Sequence, residues 1–150
     1  MSEYESKDIP ALRALVVKEA RLGYASPSRL ERVRRAVEQG LPVEAVRELQ
    51  VELKRFGVRR PSTYVDAIVS RATLQRRDRL RPAEGEQLVR VASVLALAED
   101  VWGTDEDAGE FLTSPHPMLG GGVPIDLALS EIGARQVEHI LFALDLGLPV

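Results

Sequence analysis

Residues 70–103 read SRATLQRRDRLRPAEGEQLVRVASVLALAEDVWG, and they divide at Pro82 into two segments of opposite character. The second segment has apolar residues at steps of three or four, which predicts a buried helix over 82–102. These residues are Leu88, Val91, Leu95, Ala98 and Trp102, with a second row at Val94, Leu97 and Val101. The first segment is short and carries five arginines. A charged, exposed element therefore leads directly into a buried one.

The charge of the chain also divides near this stretch. Residues 54–81 contain nine basic and two acidic residues, a net charge of +7, although the whole chain carries −3. Residues 99–150 contain ten acidic residues and one basic residue, Arg135, a net charge of −9. A division of this size indicates two surfaces with two kinds of partner, and only the basic surface suits phosphates.

The composition excludes several classes of protein. Without cysteine the chain has neither disulfides nor thiolate chemistry. Its two histidines, His116 and His139, are far apart in sequence, so we expect no zinc site and no cofactor. Apolar runs fall short of the about 20 residues that a membrane span needs. The acidic, polar N-terminus is unlike a signal peptide, so a cytoplasmic protein is expected.

We expect no enzymatic activity. Asp105 is placed to cap a helix and Asp107 to complement its dipole, and no nucleophile stands beside a base. The glycine run 120–122 lacks the lysine of a Walker motif and no predicted strand precedes it, which favours a loop that turns closely against the core over a phosphate cradle.

The helical spacing and the breaks between helices predict an all-α fold, because no segment alternates apolar and polar residues as a strand does. Helices are predicted to start at Pro27, Pro42, Pro61, Ser70, Pro82, Asp105 and Pro124, with breaks at Gly40, Gly57, Gly103, Gly133 and Gly147. Residues 1–24 are expected to be a flexible segment in which Leu12–Ala20 allow a short helix.

The pair of short helices around Ser70, with a strongly basic second helix, is a helix-turn-helix pattern. Thr73 and Gln75 suit base edges, and arginine can hold guanine with two hydrogen bonds. Only Asp78 interleaves with the arginines, and neither Arg76 nor Arg77 has an obvious structural partner. The expected DNA-binding residues are Arg71, Thr73, Gln75, Arg76, Arg77 and Arg79. A solvated charged face is the alternative, and a homodimer is expected because one short recognition helix reads few base pairs.

A resemblance rests on two further stretches. Residues 112–127 read LTSPHPMLGGGVPIDL and are followed by Gly133, Val137, Leu141 and Gly147. Upstream, residues 73–77 read TLQRR and 80–84 read LRPAE. In this order the motifs resemble the Xre/MbcA/ParS-type antitoxins and their toxin-binding domain, over residues 40–147. The chain departs from the family pattern with Phe111 for Trp, His116 for Asn and Gly85 for Ser.

The resemblance implies an antitoxin that blocks a RES-domain toxin, which destroys NAD, and represses its own operon. It implies an N-terminal helix-turn-helix DNA-binding and dimerisation domain at 25–81, followed by a small helical toxin-binding domain at 82–150. The toxin-binding residues expected on this basis are Leu119, Gly120, Gly121, Leu144, Leu148, Pro149 and Val150.

The last three residues favour two interpretations. Proline stiffens a tail of two large aliphatic side chains beyond Gly147, which suits docking into the toxin. In the alternative, Leu148 and Val150 fold back onto their own core, as residues after a helix-ending glycine often do. For the whole chain, the alternatives are a dimeric helix-turn-helix regulator without a toxin, and a small structural or adaptor protein.

Overall fold

The structure, a computed structural model, describes residues 27–149 as an assembly of helices around one long central helix. The elements are α1 (Pro27–Gln39), α2 (Glu44–Arg55), α3 (Pro61–Ile68), α4 (Arg71–Arg76), α5 (Pro82–Trp102), α6 (Asp105–Thr113), a 3₁₀ helix (Pro117–Leu119), α7 (Pro124–Leu127) and α8 (Glu131–Asp145). Between residues 27 and 149 the β pairing is limited to one isolated bridge, Pro42 with Arg79. The predicted all-α class is confirmed. The predictions for residues 1–24 and for Val150 lie outside the described residues.

Helix α5 forms the centre of the fold, as its apolar spacing predicts. It packs against α6 and α8 on one side and against α1, α2 and α3 on the other. Leu88, Val91 and Leu95 are at most 1% exposed, whereas Trp102 at the end of the helix is 38% exposed. The buried side chains form one continuous cluster from Ala36 to Leu141. The division into two domains after Arg81 stays a prediction.

Most predicted helix boundaries are confirmed, and two starts are displaced along the chain. Pro42 does not begin α2: it pairs with Arg79, while the Val43 amide donates to the Asp78 carbonyl oxygen at 3.0 Å, so the helix begins at Glu44. Asp105 is not the cap of α6. Thr104 is the cap, since its Oγ1 accepts a hydrogen bond from the Asp107 amide at 3.1 Å.

The prediction that Gly133 breaks a helix is wrong. Gly133 lies in the first turn of α8, where Ser130 caps the helix by accepting a hydrogen bond from the Gly133 amide at 3.0 Å. A Cβ atom at Gly133 would lie 2.1 Å from the Leu127 carbonyl oxygen. The glycine therefore allows a close approach of two backbone segments.

A second close approach joins two helices that are distant in sequence, α2 and α6. A Cβ atom at Gly109 on α6 would lie 2.1 Å from the Phe56 carbonyl oxygen at the end of α2. Beside it, the Arg55 guanidinium binds Glu99 on α5 at 3.2 Å and also contacts Asp105. A glycine and an ion-pair network thus fix α2 against α5 and α6.

Helix α3 is joined to α7 by one side-chain hydrogen bond. The Tyr64 hydroxyl donates to Asp126 Oδ1 at 2.5 Å. Burial, together with this hydrogen bond, raises the pKa of Tyr64 to about 12. The basic half of the chain is therefore connected to the acidic half by contacts at two separate places.

Candidate functional site

The predicted basic helix is shorter than its sequence suggested. Helix α4 spans only Arg71–Arg76, and Ser70 caps it as predicted, with its Oγ accepting from the Thr73 amide at 3.2 Å. Beyond Arg76 the backbone is extended. The Leu80 amide donates to the Leu41 carbonyl oxygen at 2.8 Å, and the Leu80 side chain is 2% exposed. This buried leucine ends the helix by drawing the chain back to the core.

Arg77 has a structural partner, contrary to the expectation from sequence. Its Nη2 atom donates to both carboxylate oxygens of Glu84, at 2.9 and 2.8 Å, and the side chains are 25% and 19% exposed. Glu84 also accepts from the Arg81 amide at 2.7 Å, which caps α5. Burial tends to raise the pKa of Glu84, but the hydrogen bonds from Arg77 and Arg81 outweigh it and lower the pKa. Arg77 therefore has a structural role, and its role in binding DNA stays a prediction.

Arg79 is also engaged within the fold. Its Nη1 atom donates to the Gly40 carbonyl oxygen at 2.8 Å, so its guanidinium caps the end of α1. The other predicted DNA-binding residues lie together on α4. Arg71, Gln75 and Arg76 are exposed, and Thr73 is half-buried with its Oγ1 2.7 Å from the Ser70 hydroxyl. Four of the six residues therefore lie on α4, where Arg71 and Gln75 line one cleft and Thr73 and Arg76 line another.

Two further arginines lie beside the helix pair and were missed among the candidate residues. Arg59 and Arg60 are exposed at the start of α3. Together with Thr63 and Tyr64 they line a cleft of about 760 Å³. Both fall within the basic segment 54–81, so the charge count includes them. The helix-turn-helix pattern, in contrast, indicated only the residues of α4 and those just after it.

The glycine-rich loop turns closely against the core, as predicted. Gly120 and Gly121 adopt φ of +63° and +84°, the left-handed region that favours glycine. A Cβ atom at Gly122 would lie 3.0 Å from the Leu119 carbonyl oxygen and 3.1 Å from Leu127 Cδ1. Leu119 itself is half-buried against the core. The loop thereby holds Leu119, Gly120 and Gly121 in one defined conformation.

The C-terminal helix ends in a Schellman motif. The Leu148 amide donates to the Ala143 carbonyl oxygen at 2.8 Å, and the Gly147 amide donates to the Leu144 carbonyl oxygen at 3.1 Å. Leu144 is half-buried against the core, but Leu148 is 54% exposed and Pro149 is exposed. The alternative in which Leu148 folds back onto the core is therefore wrong. Docking of the tail into a partner stays a prediction.

Exposed apolar side chains concentrate in the C-terminal part. Met118 is 59% exposed, Ile132 75% and Leu146 73%, and with Leu148 they are four of the six large apolar side chains that the described residues expose. Exposed apolar side chains within a charged surface are typical of protein interfaces. The same region carries Glu138, whose pKa is raised by burial. The C-terminal part therefore exposes more of the large apolar side chains than the rest of the described residues.

Two further findings concern membrane spans and metal sites in the part of the chain that the structure describes. None of its helices is long and apolar enough to cross a membrane. Among residues 27–149, histidine and carboxylate side chains nowhere gather in the groups of three or more that would hold a metal ion.

Comparison with known proteins identifies the kind of domain that the C-terminal part of the chain forms. Residues 97–147 match the family model of the antitoxin Xre/MbcA/ParS C-terminal toxin-binding domain. The antitoxin Xre of Pseudomonas putida is 30% identical over 100 residues, which are 65% of this chain and 63% of that relative. The chain thus spans less than two thirds of the length of that relative. Residues 97–147 therefore form a domain of the Xre/MbcA/ParS toxin-binding type, and over 100 residues the chain is similar to an antitoxin Xre.

Proposed function

We propose that this chain is the antitoxin of a type II toxin–antitoxin system. The observation that carries the proposal is the coincidence of two findings. The toxin-binding domain match covers residues 97–147, and the same region exposes Met118, Ile132 and Leu146 to solvent. Large apolar side chains left in water are stabilised when a partner covers them. The domain therefore offers a toxin a surface that gains from being buried.

The proposed toxin is a RES-domain enzyme that consumes NAD, and the antitoxin inhibits it by covering its active-site entrance. The loop residues Leu119, Gly120 and Gly121 and the helix residue Leu144 form a rigid part of the contact. The exposed tail, Leu148, Pro149 and Val150, enters the toxin. This inhibition is steric, so it requires no catalytic group from the antitoxin. The rigid loop and stiff tail support it, because little conformational entropy is lost when preordered segments bind.

A second part of the proposal is that the antitoxin represses its own operon through α3 and α4. The exposed residues Arg71, Gln75 and Arg76 project from α4 beside the half-buried Thr73. In this proposal Gln75 and the arginines contact base edges or phosphates. The positions of these side chains depend on the Ser70 cap, which fixes the first turn of α4.

We expect the antitoxin to be a homodimer. A recognition helix of six residues contacts only a few base pairs, and two-fold symmetric binding to a palindromic operator is the common solution. Light scattering of the purified chain at micromolar concentration, with and without operator DNA, measures the assembly. A monomer under both conditions would contradict the expectation.

Co-purification from the native host tests the proposed function. A tagged chain should retain one stoichiometric partner, and the released partner should consume NAD until the antitoxin is added back. Recovery of operator DNA without any protein partner would favour a helix-turn-helix regulator instead. If a stable protein partner is found but does not consume NAD, the proposal of toxin binding stands and the proposal of a RES-domain toxin is rejected.

A further inference from the structure

His116 takes part in several hydrogen bonds of the glycine-rich loop, through its backbone and through its side chain. Its amide donates to the Gly122 carbonyl oxygen at 3.0 Å, and its carbonyl oxygen accepts from the amides of Leu119 and Gly121 at 3.0 and 3.1 Å. Its side chain caps the 3₁₀ helix, because Nδ1 accepts from the Met118 amide at 3.1 Å. Four hydrogen bonds in the loop that carries Leu119, Gly120 and Gly121 thus involve His116, three through its backbone and one through its side chain.

The side-chain bond requires one charge state of the imidazole. Nδ1 accepts a hydrogen bond only when the ring is neutral and its proton lies on Nε2, since both nitrogens of a protonated ring are donors. Protonation would place an N–H group opposite the Met118 N–H group and remove the cap. Histidine side chains change charge between about pH 5 and 8. Asparagine, the usual family residue at this position, keeps its acceptor oxygen throughout that range.

The direct contacts of the His116 ring are uncharged, although the neighbouring helices are mostly acidic. The ring packs edge-on against Phe111, with the centroids 5.9 Å apart, and Phe111 is 8% exposed. The titratable groups on α6 and α8, the helices next to the loop, are Asp105, Glu106, Asp107, Glu110, Glu131, Arg135, Glu138, His139 and Asp145. Within the described chain, the recorded contacts of the imidazole are the Met118 amide and the Phe111 ring, and neither carries a charge.

We propose that His116 is a positioning residue that makes toxin binding depend on pH. Its neutral ring holds the 3₁₀ turn and thereby presents Leu119–Gly121 to the toxin, and protonation of the ring, which removes the acceptor at Nδ1, releases the turn. The effect on the toxin rests on the proposed function, whereas the effect on the loop does not. Toxin affinity is expected to be highest above neutral pH and to fall as the pH decreases.

The effect on the loop is tested with the full chain alone by nitrogen-15 NMR between pH 5 and 8. His116 should be the Nε2-protonated tautomer at pH 8, and the protection factor of the Met118 amide should fall as the ring is protonated. His116→Asn should keep the Met118 amide protected throughout the range. The matched control is His139→Asn, since His139 is exposed on α8 and should leave the pH dependence unchanged. A protection factor of the Met118 amide that does not change when His116 is protonated would overturn the proposal.

The effect on binding is tested by titrating the co-purified toxin at pH 8 and pH 5.5. Loss of one hydrogen bond predicts an affinity about three- to tenfold weaker at the lower pH. His116→Asn, measured with the same toxin, corrects for the toxin's own titration and should show the smaller change. Equal pH dependence in both proteins would reject the role of His116 in binding. A loop that responds as expected in a chain that binds no toxin at either pH would instead reject the proposed function.

Discussion

Replacing Arg77 by alanine should destabilise the fold. The substitution leaves the Glu84 carboxylate, whose side chain is 19% exposed, without the two hydrogen bonds from Arg77. Removal of one member of a fully buried ion pair costs about 3–5 kcal/mol. Here solvent reaches part of both side chains, so we expect a loss of about 1–3 kcal/mol, typical of hydrogen bonds to a charged group.

This loss should be visible in thermal and urea unfolding followed by circular dichroism. For a chain of this size, each kcal/mol shifts the Tm by roughly 3–4 °C, so the Tm should fall by roughly 3–12 °C. Arg76→Ala is the matched control, because Arg76 is the exposed neighbour and surface substitutions usually change stability by less than about 0.5 kcal/mol. A double-mutant cycle with Glu84→Gln isolates the interaction of the pair.

The stabilisation should also depend on pH with a definite sign. The pKa of Glu84 is lowered in the folded state, so its ionised form stabilises the fold above the ordinary glutamate pKa of about 4.3. That stabilisation is lost as the pH falls through the lowered folded-state pKa. The difference between wild type and Arg77→Ala should therefore shrink in acid. Identical melting of the two proteins at pH 7 would refute the structural role of the pair.

Three further predictions concern DNA, the toxin and packing. Arg76→Ala should weaken operator binding and reduce the slope of log affinity against log salt by about 0.9, and an unchanged slope would remove Arg76 from the DNA contact. Removal of residues 148–150 should leave helicity and operator binding intact but weaken inhibition of NAD turnover, and equal inhibition would show that the tail is not needed. Gly109→Ala should cost about 1–3 kcal/mol in urea unfolding, since its Cβ would meet the Phe56 carbonyl oxygen. Gly85→Ala, where the new Cβ would lie 3.4 Å from Val37 Cγ1, should be neutral or stabilising.

The helices could be predicted from sequence because their signals are local. The period of apolar residues located α5, prolines marked the starts of α1, α3, α5 and α7, and the hydroxyl of Ser70 marked the cap of α4. The role of Gly133 could not be predicted in this way. A side chain at this position would collide with the Leu127 carbonyl oxygen. That carbonyl reaches Gly133 only through tertiary packing, which the local sequence does not show.

In the candidate site, too, the features that depend on local sequence could be predicted and those that depend on tertiary packing could not. Exposure of Arg71, Gln75 and Arg76 follows from one short amphipathic helix and was predictable. The engagement of Arg77 with Glu84 was not, because the two residues face each other only after the chain leaves α4 in an extended conformation. Counting arginines in the sequence therefore overestimates the cations that are free to bind phosphate.

If the proposed function holds, the contacts between the two halves of the chain limit how this protein can exchange parts with its relatives. Tyr64 donates to Asp126, and Gly109 accommodates the Phe56 carbonyl oxygen. A recombinant that joins this basic half to the acidic half of a relative inherits only one side of each contact. Shuffling of toxin specificity between antitoxins would then require coordinated replacement at both places. Contacts inside the fold would thereby decide which combinations of the proposed operator and toxin specificities can occur in one folded chain.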